Sequence, residues 1–233
     1  MVDVGDVVEN LRDLRARISG AGGVPGEVAI VAVTKGFGAD AVEAAVGAGL
    51  ADLGESYAQE LEAKAGAVTA ATAARCQWHF LGHVQRNKVR RISAHVHLWQ
   101  SVDRPAAGQA IASHAPAARV LVQVNVSGEA GKNGCRFEDA PALVDALATM
   151  GLEVRGLMAV GPSGPPELAR PGFRKLTELA DRLGLPERSM GMTHDLEVAV
   201  QEGTTMVRVG RALFGDRRAP ARDARSEPSD LRR

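Results

Sequence analysis

Apolar positions along the chain follow two rhythms. Val4, Val7, Val8, Leu11, Leu14 and Ile18 recur at helical spacing and predict an opening amphipathic helix over 4–18. From Val28 onward, short runs rich in β-branched residues alternate with Ala-rich helical stretches, the pattern of a parallel sheet linked by helices. The runs predict eight strands, over 28–34, 51–54, 77–81, 95–101, 119–126, 153–159, 188–190 and 206–209. Helices are predicted between them over 40–48, 56–67, 84–92, 104–113, 138–150, 166–183 and 196–202, with a short last one over 211–214. Eight such units favour a single closed (β/α)8 TIM-type barrel with an extra N-terminal helix over an open doubly wound sheet. No Gly-x-Gly-x-x-Gly follows the first strand, which argues against a dinucleotide fold. Residues 218–233, rich in Arg, Asp, Pro and Ser, predict a disordered tail after a barrel domain over 1–217.

Composition narrows the class. A chain of 233 residues can bury one substantial core, and its 28 Lys plus Arg balance 28 Asp plus Glu, so no global field points to nucleic acid or an anionic membrane. Cys76 and Cys135 stand far apart without metal-ligand spacing and read as reduced thiols. The first ten residues carry acids where a signal peptide needs basic groups, and no apolar run approaches spanning length. The expectation is a cytoplasmic protein, monomeric because a complete barrel covers its own core.

In a barrel the chemistry sits at the C-terminal ends of the strands. The first strand ends in Thr34-Lys35 before Gly36-Phe37-Gly38, which puts an amine at the barrel mouth. Such a lysine is a Schiff-base candidate, and equally an ordinary solvated loop cation; position alone leaves both open. The seventh strand runs into Ser189-Met190-Gly191-Met192-Thr193, and the eighth into Arg208-Val209-Gly210. Barrels often bind phosphate after these two strands, yet 189–195 also reads as a plain helix cap. Gly131-Lys132 is not a P-loop, because Val126 and Asn133 replace its glycine and hydroxyl residue. His95 and His97 share a strand face without a third ligand, so no metal is assigned.

Taken in order, Ala-Val-Thr-Lys35, Gly54-Glu55, the stretch 78–88, Gln123-Val124-Asn125-Val126, Gly156-Leu157-Met158, Ser189-Met190-Gly191-Met192 and Met206-Val207-Arg208-Val209-Gly210 closely resemble the pyridoxal phosphate homeostasis proteins. That family is similar in fold to the N-terminal barrel of alanine racemase. The likeness runs in one register from about Val4 to Arg217.

The resemblance implies pyridoxal 5′-phosphate (PLP) as cofactor, bound as an internal aldimine on Lys35. It implies further contacts from Ser189, Met190, Gly191, Thr193, Gly210 and Asn125, with the 189–193 turn at the phosphate and Arg208 at the pyridine nitrogen. A guanidinium cannot accept the pyridinium proton, which leaves a weak electron sink. Ser56 stands where the family usually has asparagine, Arg211 where a small hydroxyl is common, and Arg188 where leucine is frequent, so contacts from 56 and 211 are open. Two-base racemisation needs an acid or base opposite the lysine, which the racemases supply as a tyrosine from a second domain. The only tyrosine here is Tyr57. The implied function is therefore a non-catalytic PLP carrier in vitamin B6 homeostasis, with apo forms of PLP enzymes as acceptors. The alternative is a low-activity racemase using Tyr57, His83 or Lys132.

Overall fold

The computed structural model describes residues 1–129 and 131–216; the stretch expected to be a disordered tail lies outside them. Among the described residues eight strands form: β1 (Ala29–Val33), β2 (Asp52–Glu55), β3 (Gln77–Phe80), β4 (Val96–Val102), β5 (Arg119–Val124), β6 (Glu153–Ala159), β7 (Glu187–Ser189) and β8 (Met206–Val209). All pair in parallel and in sequence order, and β8 closes on β1 with Ala29 beside Met206 and Ala32 beside Val209. The expected barrel is the observed one. The helices are α1 (Val4–Gly20), α2 (Ala39–Gly47), α3 (Ala58–Ala67), α4 (Ala70–Ala73), α5 (Arg86–Ile92), α6 (Pro105–His114), α7 (Ala140–Thr149), α8 (Arg170–Arg182), α9 (Leu196–Gln201) and α10 (Arg211–Phe214). None is long and apolar enough to cross a membrane.

Strand alternation divides the buried side chains in two. Residues such as Ile30, Ala32, Val120 and Val122 join the large core between sheet and helices, whereas Val31, Leu98, Leu121, Met158 and Met206 form a separate cluster inside the barrel. That inner plug seals the barrel centre. Outside, α1 is started by Asp3, whose carboxylate accepts from the Gly5 and Asp6 N–H groups, and it buries Val7, Leu11, Leu14 and Ile18. It packs on α2, α9 and α10, and so braces the elements that follow β7 and β8.

Two predicted boundaries move, and one unpredicted helix appears, for local reasons. β5 stops at Val124 rather than 126, because Asn125 Oδ1 accepts from the Ser127 and Gly128 N–H groups at 3.2 and 3.1 Å and turns the chain. The helix expected over 166–183 begins as a 3-10 turn (Pro166–Ala169), and α8 starts with Pro171 in its first turn. The short α4 was not expected; Thr69 caps it by accepting from the Thr72 N–H.

Candidate functional site

The strand ends converge on a cavity of about 320 Å³, a size suited to a small ligand. Val33, Leu81, Met158 and Val160 give it an apolar wall, and Lys35, Ser56, Thr193, Arg208, Gly210 and Arg211 its polar lining. Lys35 is half-buried, one residue past buried Thr34. His194 stands exposed on the rim, with Nε2 3.2 Å from the Gly164 carbonyl.

Arg208 projects from β8 and is almost wholly buried. Its Nη1 donates to Ser189 Oγ and its Nη2 to the Ala159 carbonyl, both at 2.7 Å. Both partners are neutral. Burial pushes the guanidinium down to about 10, with Asp195 opposing, so it stays charged at neutral pH and can only donate.

Behind Arg208 a line of hydrogen bonds crosses the barrel. Ser189 Oγ donates to Gln100 Oε1 at 2.7 Å, Gln100 Nε2 lies 2.7 Å from His79 Nδ1, and His79 Nε2 lies 3.0 Å from Asp52 Oδ1. The amide N–H must donate to Nδ1, so Nε2 carries the proton that faces Asp52. Every donor therefore points the same way, from the cation to the carboxylate.

The turn after β7 is shaped by backbone demands. Gly191 has φ +92°, and a Cβ there would sit 2.5 Å from the Ala199 methyl, so only glycine fits. Buried Asp195 closes the turn by accepting from the Met192 N–H at 2.6 Å. Arg17, in the last turn of α1, donates to the Thr193 carbonyl at 2.8 Å and pairs with Glu197. Gly210 opens α10, and a Cβ on it would come within 3.0 Å of the Val33 carbonyl. The first N–H groups of a helix have no partner within it, so α10 adds donors beside Arg211.

The residues expected from sequence fall into four groups. Lys35, Thr193, Arg208 and Gly210 meet on the cavity wall, and Ser56 and Arg211, left open above, line it too. Ser189 acts from behind, through Arg208. Met190 and Gly191 build the turn, the Met190 side chain packing into the main core. Asn125 is elsewhere: Nδ2 donates to the Glu129 and Lys132 carbonyls, Oδ1 serves the turn at 127–128, and the residue lines a separate cleft with Arg136 and Lys175. Its hydrogen-bonding capacity is spent on its own loop.

The second-base candidates also lie apart. Tyr57, 60 % exposed, and His83 share a neighbouring cleft of about 140 Å³, and Lys132 Nζ donates to Glu129 and to the Gly161 carbonyl. Sequence reasoning missed Arg17, Gln100 and the acid–base cluster of α3. Arg17 meets Thr193 across 176 positions, and nothing in an amphipathic helix marks which arginine turns inward. The α3 cluster left a trace, since Glu60 and Lys64 are four apart. A larger groove, about 570 Å³, runs along α1, but Asp3, Asp6, Glu9 and Asp40 line it and disfavour an anion.

The family model for the alanine racemase N-terminal domain matches residues 2–218. The pyridoxal phosphate homeostasis protein of Pseudomonas aeruginosa is 42 % identical over 91 % of this chain and 96 % of its own length. That of Escherichia coli K12 is 34 % identical over 92 % and 98 %. Among solved structures, PipY of Synechococcus elongatus with PLP bound superposes with a TM-score of 0.78 at 30 % identity, covering 90 % of this chain and all of that one. Alanine racemase from Corynebacterium glutamicum, at 18 % identity and a TM-score of 0.67 over 91 % of this chain and 61 % of its own, shares the fold. With its barrel, its motifs and these relatives in agreement, the chain belongs to the pyridoxal phosphate homeostasis proteins, within the alanine racemase N-terminal domain family.

Proposed function

We propose that this protein is a non-catalytic carrier that holds pyridoxal 5′-phosphate as a Schiff base on Lys35 and supplies it within the cell for vitamin B6 homeostasis. The observation that carries the reading is the presence of Lys35 on one cavity wall with buried Arg208, whose two hydrogen-bond acceptors are neutral. When bound, the group supplies an aldehyde, with which the Lys35 amine condenses to a C=N bond with loss of one water. The turn at 191–193, the start of α10 and Arg211 offer backbone donors, a hydroxyl and a positive charge suited to a phosphate. Met158 and Leu81 offer apolar surface to an aromatic ring. Arg208 can donate to a ring nitrogen and cannot take its proton, which suits holding better than carbanion chemistry. The closed sheet needs no second copy to cover an edge, in keeping with a monomer.

Carriage is favoured over racemisation by the separate cleft of Tyr57 and His83 and by the engagement of Lys132 with Glu129 and the Gly161 carbonyl. The test is the absorbance spectrum of the purified protein with added PLP, borohydride reduction, and peptide mapping of the adduct, with Lys35→Ala as control. An adduct on Lys35, lost in the variant, is expected. A protein that stays colourless refutes the reading, and steady α-proton exchange on a free amino acid that depends on Lys35 would turn it into an enzyme.

A further inference from the structure

We propose that Glu60 and Lys64 of α3 are positioning residues for Lys35, gripping the peptide groups on either side of it. The inference rests on the reading of Lys35 as the PLP lysine and deepens it. Lys64 Nζ donates to the Thr34 carbonyl at 2.7 Å, immediately before Lys35, and the Gly36 N–H donates to Glu60 Oε2 at 2.8 Å, immediately after it. The two side chains are one helical turn apart and bonded to each other at 3.0 Å, so the grip is one unit. Glu55, fully buried at the end of β2, anchors it from below by accepting from Lys64 Nζ and from Thr34 Oγ1.

The location of the grip gives it a function. Thr34 is the last residue next to the ladder, its N–H donating to the Gly54 carbonyl, whereas Gly36 is exposed and has φ +76°. Lys35 sits inside the glycine turn that leaves the strand, and the Thr34 carbonyl that Lys64 holds also accepts from the Phe37 N–H at 3.0 Å, so fixing that carbonyl fixes the direction of the turn. Hydrogen bonds to charged groups are about twice as strong as neutral ones, and Lys64 and Glu55 are shielded from water. Burying two such charges is costly where apolar side chains would pack as well, so the cluster is poorly explained as a stabilising element. Holding the Lys35 backbone limits the directions its amine explores to those that reach the cavity, which preorganises condensation.

Glu60 is the residue to change, because Lys64 cannot be removed without stranding Glu55. Glu60→Ala deletes the acceptor for Gly36, while Glu60→Gln keeps an oxygen there. Two readouts are taken on the full chain: exchange of the Gly36 amide in PLP-free protein, and the rate and affinity of PLP adduct formation. In the alanine variant we expect Gly36 exchange to rise and adduct formation to weaken about tenfold, with both largely restored by glutamine. Adduct formation unchanged in Glu60→Ala, or equally weak in Glu60→Gln despite its oxygen, overturns the proposal. Absence of any adduct in the unmodified protein removes the Lys35 reading instead, and with it anything to position. The Gly36 readout still reports then whether the grip exists.

Discussion

Gly191→Ala tests whether the turn after β7 is held by backbone geometry. Two costs are separable. The φ of +92° costs an L-residue roughly 1–2 kcal/mol. A Cβ 2.5 Å from the Ala199 methyl, in a site where Ala199 is fully buried, adds an overpacking cost of roughly 1–3 kcal/mol. Ala199→Gly alone should cost roughly 1–2 kcal/mol, for glycine within α9 and one lost buried methyl. In the double variant the overlap is relieved while the φ cost remains, so it should be less destabilised than the sum of the singles by about 1–3 kcal/mol. Urea denaturation of all four PLP-free proteins gives that coupling, provided the slopes agree. A coupling below about 0.5 kcal/mol would refute the reasoning, since the overlap is then relieved by movement elsewhere. PLP affinity should fall in Gly191→Ala and partly return in the double variant, because Met192 and Thr193 follow the turn.

Gln100→Leu should cost roughly 2–5 kcal/mol in urea denaturation, by leaving the Ser189 hydroxyl and His79 Nδ1 buried without their partner. It should also weaken PLP binding through Arg208, and a loss under about 1 kcal/mol would mean the chain of hydrogen bonds is idle. His97 has a lowered pKa, chiefly from burial, then from His79 and Arg119, with Asp52 and Glu187 opposing. Below its unfolded value of about 6.5 the unfolded chain takes up this proton first, so stability is full above that pH and is lost as pH falls. His97→Gln should flatten the fall in urea midpoint between about pH 7 and pH 5; an unchanged slope assigns the loss to other groups.

The periodic part of the molecule was legible, and so were several residues of the cavity wall, but not the contacts that hold them there. Eight strands could be read because β-branched runs and turn residues are local, and β6 and β8 appear with their predicted limits. Asn125 shows the limit. The family resemblance made it a candidate, but its side chain is consumed by a turn set by residues 127–129. Arg208 and Ser189 were both named from the sequence, but not the contact between them, because a contact between neighbouring strands depends on register. Gln100 and His79 stand out as polar residues near strand ends, but nothing in the sequence gives them a shared role. Only closure of the barrel turns them toward Ser189, 89 positions from Gln100 in the case of that bond.

Net charge misleads here for a related reason. A balance of 28 against 28 averages over two neighbouring clefts. Lys35, Arg208 and Arg211 line the cavity, while the acid within reach of Arg208, Asp195, is tied to the Met192 N–H. Asp3, Asp6, Glu9 and Asp40 gather instead along the groove beside α1. A dianion is thus favoured in the cavity and disfavoured in the adjoining groove, with the field screened beyond about 8–10 Å at physiological salt. Within the cavity the same logic separates holding from catalysis. Arg208 donates to two neutral acceptors, and the donors behind it run in one direction toward Asp52, so it has no route for accepting a proton. On the proposed reading, a ligand there would be held by charge and by one exchangeable bond to Lys35, and a competing amine would suffice to take it away.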